Sequence, residues 1–383
     1  MKVIADKIKG DRVIWMVVFL LSIISLLAVY SSTGTLAYAK RGGNTEYYLL
    51  KHFVILTFGL GLMFLASRIK YTYYSRLSQI AIWIAVPLLL LTLVKGPTIN
   101  EANRWITLPV INLSFQTSDF AKLALIIFVA RMLTKKQDNI GDFNQSFIPI
   151  LVPAVIITGL ILPANLSTAA LLFSTCVILM FVGGVKIRYV LGLIGAGLAV
   201  FLIIMMLASA LPDKGRIGTW KSRIERHLDK SGDQYQLEQS KIAIASGKIF
   251  GNLPGNSTQR NFLPNPFSDF VYAIIIEEYG LIGGMAVLLL YLILFYRGIR
   301  VARNSPGTFG ALLAVGLSFS LVFQAMINMA VNVGIIPVTG QPLPLVSMGG
   351  TSLWFTSISI GIILSVSRKI EEPKTNEQPV ATG

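Results

Sequence analysis

Acidic residues are scarce in this chain of 383 residues: 18 Asp and Glu stand against 33 Lys and Arg, and charged residues of both signs make up only 13% of it. Cysteine occurs once, as Cys176 inside an apolar run, which excludes an internal disulfide framework and a thiolate metal cluster. The two histidines, His52 and His227, are too few and too far apart in sequence to announce a metal site. Neither a P-loop nor a dinucleotide fingerprint occurs, so no nucleotide cofactor is expected. What is abundant is hydrocarbon. Hydrophobic residues account for 54% of the chain, and the mean hydropathy of +0.68 lies outside the range of a soluble globular domain. The composition predicts an all-α integral membrane protein.

Charge-free runs lie between Arg12 and Lys40, Lys51 and Arg68, Arg76 and Lys95, Asp142 and Lys186, Arg188 and Asp213, Glu278 and Arg297, and Arg303 and Arg368. A crossing takes about 20 mostly apolar residues, so Pro163–Ser167 divides the Asp142 run and Gly334–Met348 divides the last one. With Phe120–Leu133 added, about ten transmembrane helices are expected, with a large loop, Leu211–Ser268, between the seventh and eighth. Ala37-Tyr-Ala39 resembles a signal cleavage site, but Val13–Tyr30 is longer than an ordinary signal core and reads as the first span. Lys and Arg concentrate in the short loops that share a side with the two ends of the chain, which places that side in the cytoplasm and Leu211–Ser268 outside. The net charge of +15 is then partly topology and partly a basic cluster from Lys214 to Arg260 that suits an anionic ligand, and it calls for no nucleic acid.

Carboxylates in such a chain need a reason. Asp269 stands where a polar loop turns into an apolar helix, with Glu277 and Glu278 two turns deeper. An ionised acid at that depth faces a cavity, a cation or a basic partner, although Ser268 and Asp269 are also good helix N-caps. Asp119 and Lys122 are one helical turn apart and can pair, either as a structural lock or as the lining of a polar cleft. Arg104 beside Trp105 reads as an interfacial anchor or as a contact to an anionic group. In the outer loop, Arg223 and Arg226 suit phosphate or pyrophosphate, or lipid head groups. Gln236, Gln239 and Ser240 share a face of an amphipathic helix whose Leu237 and Ile244 rest on the membrane or the bundle. Asn328 and Asn332 are i, i+4 in an apolar helix, followed by an irregular Pro- and Gly-rich segment to Ser352 that contains Ser347. Such a segment is tolerated at membrane depth where protein or a water-filled cavity satisfies its backbone, and interhelical hydrogen bonding by the asparagines is the alternative use.

Taken together, Gly255-Asn-Ser-Thr-Gln259, Leu263-Pro264, Ser268-Asp269-Phe270, Glu277-Glu278 and Gly280-Leu-Ile-Gly283 resemble the SEDS proteins of shape, elongation, division and sporulation. Arg104-Trp105, Ser118-Asp119-x-x-Lys122, Tyr235-Gln236-x-x-Gln239-Ser240 and the Asn332 to Gly350 pattern agree in order, so the likeness runs from Arg12 to Arg368. Gly-Asn-Ser-x-Gln is similar to the division-type branch, FtsW, more than to the elongation-type RodA. Three departures stand out. Asn265-Pro266-Phe267 replaces Glu-Ala-His, Asp119 replaces a Glu, and Pro163-Ala-Asn165 lacks a carboxylate usual there.

The resemblance implies a multi-pass domain at 12–370 between cytoplasmic segments 1–11 and 371–383, in the bacterial inner membrane and at the division septum. It implies a peptidoglycan glycosyltransferase that polymerises lipid II, with undecaprenyl pyrophosphate as leaving group. Asp269 would be the catalytic base, and Lys122, Arg104, Asp119, Arg223, Gln236, Gln239, Ser240, Asn332 and Ser347 the substrate-binding set. A divalent cation, Mg²⁺ or Mn²⁺, would assist. The implied partners are a class B penicillin-binding protein transpeptidase, other divisome proteins and membrane lipids. A lipid II flippase and a noncatalytic scaffold are the competing readings; the scaffold leaves Asp269 and Arg223 unused, and the flippase is disfavoured by the lack of charge through Asp142–Lys186 and Arg303–Arg368.

Overall fold

A backbone surrounded by hydrocarbon must satisfy its own hydrogen bonds, and the apolar runs do so as helices. The computed structural model describes residues 9–95, 98–99, 102–103, 105–108, 113–210 and 235–371. Its helices are α1 (Arg12–Ser32), α2 (Gly34–Arg41), α3 (Thr45–Arg68), α4 (Tyr71–Lys95), α5 (Thr117–Lys135), α6 (Ile148–Ile161), α7 (Leu166–Val182), α8 (Ile187–Ala210), α9 (Tyr235–Gly247), α10 (Val271–Asn304), α11 (Thr308–Asn332) and α12 (Thr351–Glu371). Among the described residues, 7 helices are long and apolar enough to cross a membrane. The other expected spans fall on the shorter apolar helices Leu166–Val182 and Ile187–Val200, and on α5, whose apolar run is interrupted by Asp119, Lys122 and Arg131.

Both expected breaks are present. Between α6 and α7 the chain turns at Leu162–Asn165, and the Asn165 side chain caps α7 by accepting from the Thr168 amide at 3.2 Å. Between α11 and α12 the backbone is irregular through 333–350. Two small antiparallel hairpins add strand that the all-α expectation omitted: β1 (Thr98–Ile99) with β2 (Ala102–Asn103), and β3 (Trp105–Leu108) with β4 (Leu113–Gln116). The second pairs Trp105 with Gln116 and runs directly into α5, so it sets the point at which Asp119 and Lys122 enter the bundle.

Close helix contacts are made at small residues, as expected where no water is expelled on association. α3 and α12 cross where a Cβ on Gly361 would strike the carbonyl of Met63 and one on Gly59 would strike Leu353. The sharpest case lies in α10. Its 34 residues exceed one crossing, and Gly280, at φ 69° and ψ −174°, divides it into a half-helix ending at Tyr279 and a longer helix from Leu281. The turn after α9 plugs that break. Leu281 donates to the Lys248 carbonyl at 2.9 Å, Ile282 to Ile249 at 3.3 Å, and Asn252 to Glu277 at 3.0 Å. Backbone meets backbone so closely here that a Cβ on Gly247, Gly251 or Gly280 would collide with the carbonyls of Ile276, Glu278 and Ile249 respectively.

Gly247→Ala is therefore expected to destabilise the protein by about 1–3 kcal/mol, the usual cost of overpacking. Thermal unfolding in detergent is the measurement. An unchanged midpoint would show that the 247–251 turn moves aside freely.

Candidate active site

Residues four apart on a helix lie on one face, and on α11 that face carries Gln324, Asn328 and Asn332, all buried. Each ties α11 to something else. Lys122 Nζ on α5 donates to Gln324 Oε1 at 2.9 Å, while Gln324 Nε2 donates to the carbonyl of Pro342 at 3.0 Å. Asn328 Nδ2 donates to the carbonyls of Asp269 at 2.8 Å and Gln341 at 2.7 Å. Asn332 Nδ2 donates to the carbonyls of Asp269 at 3.0 Å and Asn328 at 2.8 Å, and its Oδ1 accepts from the Ala273 amide at 3.1 Å. One polar stripe thus joins the lysine, the irregular segment and the loop-to-helix boundary at Asp269. The two asparagines stand out in the sequence as polar residues in an apolar helix, and Gln324, one turn earlier, continues the same spacing.

Asp269 is half-buried and does not cap α10. The helix begins at Val271 with Phe270 in the cap position and no side-chain cap. The Ala273 amide is met by Asn332 on α11 and by the Phe270 carbonyl at 3.1 Å, not by the Asp269 carboxylate. Ser268 Oγ donates to Asp269 Oδ1 at 2.9 Å. Gly340, at φ +65°, lies against the other oxygen: a Cβ there would be 3.6 Å from Asp269 Oδ2. The irregular segment grips the boundary directly, since Ser347 Oγ donates to the Ser268 carbonyl at 2.6 Å and the Met348 amide to the Phe267 carbonyl at 2.9 Å.

The predicted pairing on α5 is present, with Lys122 Nζ 3.4 Å from Asp119 Oδ1 and side-chain exposures of 13% and 5%. Asp119 Oδ2 is buried without a hydrogen-bond partner among the described residues. The pair lines a narrow cleft between α5, α11 and α12, with room for about one water molecule, together with Ser320, Ser352, Thr356 and Ser359 and with Leu123, Leu317 and Phe355. Near-complete burial of a lysine is made tolerable by its carboxylate and amide partners, and the arrangement leaves a polar cleft within the bundle.

The remaining expected residues separate. Ser240 is buried on α9 and donates to the Asn332 carbonyl at 2.8 Å. Leu237, Ser240, Ala243 and Gly247 form the buried face of α9, leaving Gln239 half-buried and Gln236 exposed, so the three polar residues do not act as one face. Ser240, Asn332 and Ser347 have their side-chain donors committed to backbone carbonyls, which makes them ties of the scaffold rather than groups presented to a ligand. Arg104 and Arg223 lie outside the described residues.

The model of the cell cycle protein family, comprising FtsW, RodA and SpoVE, matches residues 11–372. The chain belongs to this family. Stage V sporulation protein E of Bacillus subtilis is 33% identical over 94% of this chain and 98% of its own length. A probable peptidoglycan glycosyltransferase FtsW of Trichlorobacter lovleyi is 32% identical over 93% of both chains. Among solved structures, a chain of a peptidoglycan synthase complex that coordinates polymerization and crosslinking has a TM-score of 0.73 at 26% identity, over 95% of this chain and 99% of that one. The rod shape determining protein RodA of Thermus thermophilus has a TM-score of 0.68 at 24% identity, over 95% and 98%, a likeness of fold.

In this SEDS protein the Gly255–Gln259 element has a physical use that spacing did not disclose. It cradles the carboxylate of Glu277, which accepts from the Thr258 amide and hydroxyl at 3.0 Å each, from the Gln259 amide at 3.2 Å and from the Ser257 hydroxyl. Glu278 accepts from the Ser257 amide at 3.3 Å and from the Ser31 hydroxyl on α1, and Arg260 donates to the Ser31 carbonyl at 3.1 Å. Both glutamates anchor the loop to the half-helix.

Asn332→Leu keeps the volume but removes one of two acceptors of the Ala273 amide, which retains the Phe270 carbonyl at 3.1 Å, and one of two donors to the Asp269 carbonyl, which retains Asn328. We expect a loss of about 1–2 kcal/mol, the net worth of the hydrogen bonds removed, read as earlier thermal unfolding. Wild-type stability in this variant would mean that water replaces the amide and that the stripe does not hold the boundary.

Proposed function

We propose that this SEDS protein polymerises lipid II into glycan strands, with Asp269 as general base and Lys122 as the positive charge facing the pyrophosphate. The observation that carries the reading is the stripe on α11, which holds the backbone at Asp269 and the Lys122 ammonium in one hydrogen-bonded frame. The acceptor hydroxyl attacks the anomeric carbon of the donor, and the bond from that carbon to the pyrophosphate oxygen breaks. The hydroxyl proton passes to Asp269, and undecaprenyl pyrophosphate leaves with the electron pair. A positioned carboxylate is suited to the first task. A preorganised cation where charge develops is suited to the second. An ammonium has three donors; Gln324 takes one and Asp119 lies beside another, which orients the group toward the cleft.

Among the described residues no group of three or more metal-ligating side chains gathers. That donor set does not form a resident cage but fits a divalent cation brought by pyrophosphate, since Mg²⁺ is commonly held by one or two carboxylates plus substrate phosphates. Asp119, whose Oδ2 is buried beside Lys122 without a hydrogen-bond partner, is the carboxylate that would meet it, which leaves Asp269 to act as base. The relatives' names and the fold support a peptidoglycan-polymerising role, and Gly255–Gln259 supports the division-type branch and a septal place. A class B penicillin-binding protein is the proposed crosslinking partner, by likeness to the chain of the synthase complex; co-purification of the two proteins from detergent tests the pairing.

Purified protein given only lipid II should make glycan chains. Asp269→Asn should lower the rate by about 100-fold or more, in line with a lost general base, while the unfolding midpoint stays near wild type. Lys122→Ala should weaken lipid II use in a folded protein, and Lys122→Arg should restore it in part, because a planar fork replaces a compact ammonium. Near-normal polymerisation by Asp269→Asn would remove the carboxylate from the chemistry.

The same reading requires Leu211–Ser268 on the outer face and both chain ends in the cytoplasm. In a Cys176→Ser background, a cysteine at position 231 should react with an impermeant maleimide applied to cells, and one at position 305, just after α10, should not. The reverse pattern would turn the active site toward the cytoplasm and sink the model.

A further inference from the structure

Two polar side chains buried under the irregular segment have no part in the chemistry above. Ser25 on α1 and His52 on α3 are both 0% exposed, each inside a helix long and apolar enough to cross a membrane. Ser25 Oγ lies 2.7 Å from His52 Nε2 and donates to the carbonyl of Val346 at 2.8 Å. A hydroxyl has a single proton. With that proton committed to Val346, the imidazole must be the donor at Nε2, which leaves Nδ1 as the nitrogen without a hydrogen-bond partner. A histidine in an apolar span is costly and demands a use, and two apolar side chains would pack here without leaving a nitrogen unsatisfied.

The segment they hold is strained. Leu345 is 2% exposed and adopts φ 65°, a left-handed conformation that a leucine keeps only when its surroundings enforce it. Its neighbours are pinned on both sides: the Tyr291 hydroxyl on α10 donates to the Pro344 carbonyl, and Ser25 holds Val346. The next residue is Ser347, whose hydroxyl accepts from the Leu343 amide at 2.7 Å and donates to the carbonyl of Ser268 at 2.6 Å. Ser268 in turn donates its hydroxyl to Asp269 Oδ1.

We propose that Ser25 and His52 form a relay that positions Asp269, acting through Val346 and Ser347. Neither residue touches substrate, so both are positioning residues. Without the Ser25 donor the 345–347 backbone relaxes, Ser347 loses its aim at Ser268, and the carboxylate leaves its working orientation. The inference rests on Asp269 being the base, yet its structural half can be read without turnover.

The test uses the full-length protein with lipid II and three variants, Ser25→Ala, His52→Leu and His52→Gln. Glutamine can place an N–H close to the position of the imidazole Nε2, whereas leucine keeps only the bulk. Ser25→Ala and His52→Leu should each lower kcat about tenfold at unchanged KM, the scale of a modest misplacement of a catalytic group. Members of one relay are not additive, so the double variant should be no slower than the worse single one. His52→Gln should recover most of the rate. Amide hydrogen exchange in the peptide spanning 343–350 should quicken in Ser25→Ala and His52→Leu and stay slow in His52→Gln. Wild-type kcat and unchanged exchange in Ser25→Ala would overturn the relay, as would His52→Gln being as impaired as His52→Leu, which would assign His52 to packing. If wild-type protein makes no glycan, the polymerase reading falls, and the exchange measurement decides the relay alone.

Discussion

The carbonyl oxygen of Asp269 accepts from two asparagine amides, Asn328 and Asn332, and the rest of the site depends on that junction. A chain that leaves helical geometry inside a bundle strands backbone groups, each of which costs on the order of 1–3 kcal/mol if left unmade. This protein breaks its helices twice in one place, before Val271 and again through 333–350. The stripe on α11 answers both breaks, with Asn328 also reaching Gln341 and Gln324 reaching Pro342. The irregular backbone is stable because a straight helix supplies its hydrogen bonds, and the catalytic candidate sits at the seam.

Charge follows the same economy. Lys122 is held by Asp119 and Gln324, and Glu277 by four donors from one short loop. At the start of α1, Asp11 caps that helix by accepting from the Val13 amide at 2.9 Å, accepts from Arg297 Nε at 2.7 Å, and donates its own amide to the Ser367 hydroxyl at 3.0 Å. Among the described residues, Lys122, Glu277 and Asp11 are thus paired or saturated, as burial requires. Asp119 and Glu278 depart from this pattern in one oxygen each, buried without a hydrogen-bond partner, and that of Asp119 lies beside the cleft.

The glycine interlock at Gly280 gives the half-helix Val271–Tyr279 a fixed end, because the 247–251 turn fills the break with backbone. Asp269 therefore sits at the start of a short rigid element clamped at its far end by the Glu277 cradle and at its near end by α11. A general base needs this kind of fixed mounting, since catalysis is sensitive to displacements of about 1 Å.

Features that depend on neighbours along the chain are legible without the fold. Charge-free runs and their Pro, Gly and Asn interruptions marked the helices and the breaks at Pro163–Ser167 and Gly334–Met348, and i, i+3 spacing marked the Asp119–Lys122 pair. The same local logic offered Asp269 as a helix cap, which the structure does not use. Packing alone settles that Lys122 meets Gln324, that Ser257–Gln259 enclose Glu277, and that Ser25 joins His52 to the Val346 carbonyl. Those partners are brought together by how helices cross, and crossings are set by small residues such as Gly59, Gly247 and Gly361 whose effect is the absence of a side chain. Periodicity along one helix records which face is polar; it holds no record of which distant backbone that face will meet.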